Sequence, residues 1–355
     1  MQRTIKHFFI LMLLVGFAAC NEGDKFTESI FPEEVQEDIS SFGKWLKVNY
    51  SDVYNLDFQY RMQDVGSNTS YNLVPTKLEK SMEMAILVKY LWFEPYGEIV
   101  EKEFLRKYGP RMIHLIGSAA YNPNQGTRIL GTAEGGIKVT LYDCNQLQSE
   151  NIEFNNEYYF HTMHHEFMHI LHQQKAYPKD FETLSAGYYD PMYWQERNDD
   201  NTPNEAEVRD ASKYAPYGFI TAYGSSQPRE DFVEVISCYV TKSDAWWNSI
   251  LNQAALPGPN GEVFLDQERG DKKILKKIEI SKKWLKDEWG IELDVLRANV
   301  RERQKHIGEA LTQGFAEINS HNTSPTRYVY SPVETDNEPR QLFGSTTPCS
   351  YGDKH

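Results

Sequence analysis

YYFHTMHHEFMHILHQQ, residues 158–174, contains His165, Glu166 and His169 in the order H-E-x-x-H. Side chains four apart share one face of a helix, so both imidazoles can reach one metal ion while Glu166 addresses a water held there. Phe160, Met163, Phe167, Ile170 and Leu171 recur at helical spacing on the complementary side. The stretch is therefore expected to be an amphipathic helix packed on a core, with its histidines turned toward a metal.

Two histidines are half of a catalytic zinc site, which takes three protein ligands and leaves one position open. The metzincin continuation requires Gly at position 172 and His at position 175, where this chain has His172 and Lys175. The reversed order H-x-x-E-H fails as well, because Met163 and Phe167 occupy the required places. Another arrangement takes a glutamate from a later helix, often with an acid four residues on that holds a ligand histidine through its other nitrogen. Pro228-Arg229-Glu230-Asp231-Phe232-Val233-Glu234 offers that pair: Glu230 and Glu234 share one helical face, and Phe232, Ile236 and Tyr239 fall on the other. Acidic helices with apolar backs are common, so Glu230 is a candidate third ligand, with Asp231 one position away as its rival.

Together the two motifs resemble the zinc-binding metallopeptidase lipoproteins of Bacteroidetes, a gluzincin group. The ligand logic is similar to that of thermolysin and of the anthrax lethal factor catalytic domain. The resemblance covers about residues 30–255. It implies an α+β, zincin-like fold, a small mixed sheet with an active-site helix, followed here by C-terminal helices. It further implies one zinc per chain on His165, His169 and Glu230, Glu166 as general base, and Glu234 orienting His165. In lethal-factor-like enzymes a tyrosine seven residues before the ligand glutamate donates to the oxyanion. Tyr223 stands at that position, with simple packing as its alternative role. The function so implied is peptide-bond hydrolysis of a peptide or protein substrate. The rival is a surface-tethered binding lipoprotein that keeps the scaffold without turnover; the intact Glu166 argues against it.

An apolar share of 40% in 355 residues is ample for a sizeable core. The 37 basic against 51 acidic side chains give −14, which disfavours nucleic acid as a partner. Arg3 and Lys6 precede an apolar run from Phe8 to Ala19, too short for an ordinary membrane span, so residues 1–19 read as a signal peptide. Phe17-Ala18-Ala19-Cys20 resembles a bacterial lipobox, although Phe17 stands where Leu is usual. Cys20 is the expected lipidation site, residues 20–30 a tether, and the address an outer-membrane lipoprotein facing the periplasm or the cell surface. Plain secretion is the alternative. Cys144, Cys238 and Cys349 lack disulfide-framework spacing and read as core or free thiols.

Residues 31–255 then form the expected catalytic domain, 256–321 a helical region and 322–355 a loosely ordered tail. A helix is expected over Pro32–Tyr50 and an alternating strand over Tyr54–Met62, followed by a loop at Gly66–Ser70. Thr76 and Glu79 predict a capping box for a helix to about Leu91, with another over Gly97–Tyr108. Met112–Ile116 reads as a central strand carrying a core or edge His114. Gly136–Tyr142 reads either as the sheet edge that pairs with substrate backbone or as an ordinary strand. The aromatics from Tyr188 to Trp194 could line a cleft or simply pack, and Arg197–Asn201 could hold calcium or be a solvated loop. Later helices are expected near Glu205, from Pro228, and over Asp244–Gln253, Asp271–Trp289 and Glu292–Gln313. The lysines of Asp271–Trp289 read as one solvated face, with Ile274, Ile278 and Leu285 buried.

Overall fold

The computed structural model describes residues 40–62, 72–121, 128–129, 131–134, 137–191 and 210–320, all within one compact unit. The signal, Cys20, the tether, the start of the first helix, the Gly66–Ser70 loop, Trp194, Arg197–Asn201, the helix near Glu205 and the tail lie outside the described residues.

The α+β architecture expected from the sequence is what the chain adopts. Its single larger sheet has the order β1 (Asp57–Gln59), β2 (Met112–Leu115), β6 (Lys138–Leu141), β5 (Gly131–Glu134). The first three strands are parallel, with Phe58, Ile113 and Val139 in register, while β5 returns antiparallel against β6. A two-stranded ribbon joins β3 (Ala120–Tyr121) to β4 (Arg128–Ile129). β2 is central, as expected, and His114 is buried in it.

Two strand expectations change. The expected strand over Tyr54–Met62 shortens to β1, because Tyr54 ends a helical turn and Asn55 takes a left-handed conformation at φ 54°. Tyr50 and Tyr54 are both buried, so the apolar side chain read as a strand position is the next helical turn of the core. Gly136–Tyr142 contributes β6, which is paired on both sides and is therefore not the sheet edge. That edge is β5.

Helices precede, separate and follow the strands. Ser41–Leu46 (α1) and Leu78–Val88 (α2) lead in, and α2 continues through a π turn, Lys89–Phe93, into Glu94–Val100 (α3), past the expected stop at Leu91. Thr76 does not cap α2. Lys77 holds the N-cap position without a side-chain cap, and its own N–H donates to Asn145 Oδ1 at 2.8 Å. Glu101, at φ 72°, breaks the chain before Lys102–Tyr108 (α4). Another π turn, Asn156–Phe160, feeds the histidine helix α5 (His161–Gln174), whose apolar stripe is buried as its spacing requires.

The glutamate helix α6 (Pro228–Thr241) packs against α5, with proline in its first turn where a missing N–H costs nothing. Against it pack α8 (Gly270–Trp289) and α9 (Leu293–Arg303), while α7 (Asp244–Ala254) packs on α8 and α10 (Ile307–Asn319) packs on α1 and α2. The expected Glu292–Gln313 helix is split by a short turn at Gln304–His306. Arg303, fully buried in α9, donates to Glu94 Oε2 and Glu98 Oε1 at 2.7 Å each, fastening the late helices to α3. Ile274, Ile278 and Leu285 of α8 are buried, but the lysines are not all solvated: Lys273 is buried and Lys277 is 0% exposed. Among the described residues, no helix is long and apolar enough to cross a membrane.

Candidate metal centre

α5 presents His161, His165 and His169 at successive turns, and α6 faces it with Glu230, Glu234 and Cys238 at the same four-residue interval. The two ladders meet. His165 Nε2 and His169 Nε2 are 3.1 Å apart, and Glu230 Oε2 lies 3.2 Å from the first and 3.0 Å from the second. Tetrahedral zinc with bonds of about 2.0–2.1 Å holds its ligand atoms about 3.3 Å from one another. Three lone-pair donors this close, on three side chains, fit one small cation.

The charge around them asks for a dication. Burial opposes a proton on His165, but hydrogen bonds to Glu230 and Glu234 and the charges of Glu234 and Glu166 outweigh it and push its pKa up to about 10. Burial likewise opposes charge on Glu230, yet the two imidazoles hold its carboxyl well below the usual range. Carboxylates in excess at a dry site are compensated by a proton or by a metal, and a zinc ion would release the proton.

Each candidate ligand is held from behind. His165 Nδ1 lies 2.7 Å from Glu234 Oε1; Thr221 Oγ1 donates to Glu234 Oε2 at 2.7 Å, and the Gly224 N–H donates to Thr221 Oγ1 at 2.9 Å. His169 Nδ1 lies 2.8 Å from His172 Nε2. Burial and the neighbouring His169 lower the His172 pKa to about 4, so it stays neutral and free to accept. Arg229 Nε and Gln227 Nε2 donate to Glu230 Oε1 at 3.2 and 3.3 Å, which leaves Oε2 directed at the histidines.

Glu166 is half-buried beside His165, and burial raises its carboxyl above the ordinary range against the pull of His165 and His169. Tyr223 stacks obliquely on His165, ring centres 5.7 Å apart, and its hydroxyl is hydrogen-bonded to Glu230. Burial, then the charges of Glu230, Glu234 and Glu166, raise its pKa, so it keeps its proton. His164 turns to the back of the helix, where Nδ1 meets the Tyr96 hydroxyl at 3.0 Å.

Asp231 is turned away from the histidines. Its Oδ2 accepts from Lys277 Nζ at 2.5 Å and from the Tyr189 hydroxyl at 2.9 Å, and Lys277 also donates to Ser185 Oγ and the Gly218 carbonyl at 2.8 Å each. His165, His169, Glu230, Glu234, Glu166 and Tyr223 are thus brought together, and Asp231 is not. Thr221 and Lys277 are supporting residues that sequence reading did not assign. His172, which the sequence places beside the site either as a substrate contact or as local packing, instead supports His169.

These residues form a candidate His-His-Glu metal site between two helices of an α+β scaffold. Residues 34–294 match the family model described as "Putative zinc-binding metallo-peptidase", and the chain belongs to that family. The match runs through α8, which carries Lys277. A crystal structure from Bacteroides caccae ATCC 43185, described in the same words, is 42% identical over 79% of this chain and 97% of that one, with a TM-score of 0.63. No curated protein matches the chain.

Proposed function

We propose that the chain is a zinc-dependent peptide hydrolase of gluzincin type. The observation that carries this reading is the convergence of His165 Nε2, His169 Nε2 and Glu230 Oε2 beside the carboxylate of Glu166. Zinc bound there supplies a Lewis acid that polarises the scissile carbonyl and lowers the pKa of water to about 7. Glu166 takes the proton of the attacking water and passes it to the leaving amine, a role suited to a carboxyl raised by burial. Tyr223, neutral and at the ligand edge, donates its hydroxyl to the developing oxyanion, worth about 3 kcal/mol for one such donor. Glu234, held by Thr221, fixes His165 in the orientation that leaves Nε2 free to ligate.

A peptide substrate pairs with β5. This strand is bonded to β6 on one side, with no other strand against it among the described residues. It also passes close to α5: a Cβ on Gly131 would lie 2.7 Å from Thr162 Cγ2. An extended peptide added at this edge gains backbone hydrogen bonds without side-chain readout. The protein would carry lipid on Cys20 and act from the outer membrane, on the periplasmic or cell-surface side; this part rests on the N-terminal sequence.

The test is a peptide-library digest with wild type and Glu166→Gln, zinc content measured in parallel. Cleavage is expected to fall about 100- to 10,000-fold with zinc unchanged. Equal cleavage by both would remove Glu166 as the base. Zinc without cleavage by either would favour the non-catalytic binding lipoprotein.

A further inference from the structure

The two ladders between α5 and α6 do not end at the first centre. One turn earlier on α5 stands His161, and one turn later on α6 stands Cys238, with Glu234 between the two sites. His161 Nε2 lies 3.0 Å from Glu234 Oε1, and ligand-competent atoms of His161, Glu234 and Cys238 all fall within 4.8 Å of one another. We propose that His161, Glu234 and Cys238 form a second metal site, suited to zinc or another thiophilic divalent cation.

His161 Nε2 stands at ion-pair distance from Glu234 Oε1, and against burial the His161 charge helps hold that carboxyl low; two ligands of one cation take up the same placement, with both lone pairs converging beside each other. Cys238 is fully buried, and no hydrogen bond engages its thiol among the described residues. An imidazole, a carboxylate and a thiol are the three donor types zinc takes, and a sulfur ligand selects against magnesium and calcium. On binding, the Cys238 thiol releases its proton to solvent. The resulting thiolate and Glu234 carboxylate together balance a dication. His161 is partly exposed, with 19% of its side chain accessible, and this is the side from which the cation enters.

The consequence is communication between the two centres. Glu234 Oε1 is the atom that supports His165 Nδ1, and in the second site it also ligates. A cation on Glu234 draws electron density from that carboxylate and weakens its pull on the His165 proton. Occupancy of the second site therefore tunes the first through one shared oxygen.

The experiment uses the full chain, stripped of metal and reloaded with cobalt(II), then desalted. Wild type is expected to retain two cobalt ions and to show thiolate-to-cobalt charge-transfer absorption in the near ultraviolet. Cys238→Ser should lose that band and one of the two ions, Cys144→Ser should keep both, and His161→Ala should weaken the second ion at least about tenfold. His169→Ala should do the reverse, losing one ion while keeping the band. One cobalt per chain without a thiolate band, or a band that survives Cys238→Ser, would overturn the site. Circular dichroism checks each variant; if Cys238→Ser fails to fold, the wild-type band and His161→Ala decide. None of these measurements depends on peptide hydrolysis.

Discussion

Glu230 and Asp231 are neighbours on one helix, both buried, and they solve the same electrostatic problem in opposite ways. Glu230 turns its Oε2 toward two imidazoles, where an exchangeable cation can sit. Asp231 turns into the core and meets the amine of Lys277, which has 0% side-chain exposure and also lies 4.5 Å from the Phe219 ring centre. Burial raises the Asp231 carboxyl and lowers the Lys277 amine, and each charge opposes the shift of the other. The first carboxylate faces the histidines; the second ties α6 to α8 through Lys277.

The comparison breaks if the two residues exchange behaviour. Glu230→Ala should lose the catalytic zinc and reduce peptide hydrolysis to background, while remaining folded. Asp231→Ala should keep that zinc but strand Lys277 as an unpaired buried charge, costing about 3–5 kcal/mol in a urea titration. Zinc lost from Asp231→Ala and kept by Glu230→Ala would move the ligand by one position.

A smaller effect sharpens the same contrast. Removing both partners of a buried pair is often neutral, because desolvation of the charges offsets much of their attraction. Asp231→Leu combined with Lys277→Met should therefore recover most of the stability lost in Asp231→Ala. If the double variant is as unstable as the single one, the hydrogen bonds to Tyr189, Ser185 and Gly218 carry the tie rather than the charge pair.

Legibility in the sequence followed the distance over which each feature is determined. His165, Glu166 and His169 are read from one helical repeat, and Glu230 with Glu234 from another, because a four-residue step is a local rule. Lys277 was not legible: it sits beside the exposed Lys276 in a lysine-rich helix, and the partner that makes it a core residue is 46 positions away. The edge strand was not legible either. Residues 131–134 read GTAE, without apolar alternation, and their edge position depends on which strands pair, so the better-patterned Gly136–Tyr142 attracted the assignment. The Tyr54–Met62 strand erred for a related reason, since apolar residues four apart and two apart coincide over so short a span.

Within the metal centre a finer version of the opening contrast remains. His165 is supported by a carboxylate, Glu234, itself held by Thr221, whereas His169 is supported by a neutral imidazole, His172. A charged acceptor makes the stronger hydrogen bond and raises the basicity of the ligating nitrogen more. Changes in such supports cost about 10- to 100-fold in metal affinity, and the two should fall at opposite ends of that range. Measured on the Cys238→Ser background, so that only the first centre is read, Glu234→Gln should weaken zinc about 100-fold against a competing chelator. His172→Phe should weaken it about 10-fold, because it keeps a ring edge-on to Tyr177 and Phe232 while removing the acceptor. Equal losses would mean that both supports act by fixing ring orientation alone; a greater loss at His172 would reverse the order of the two histidines in holding the metal.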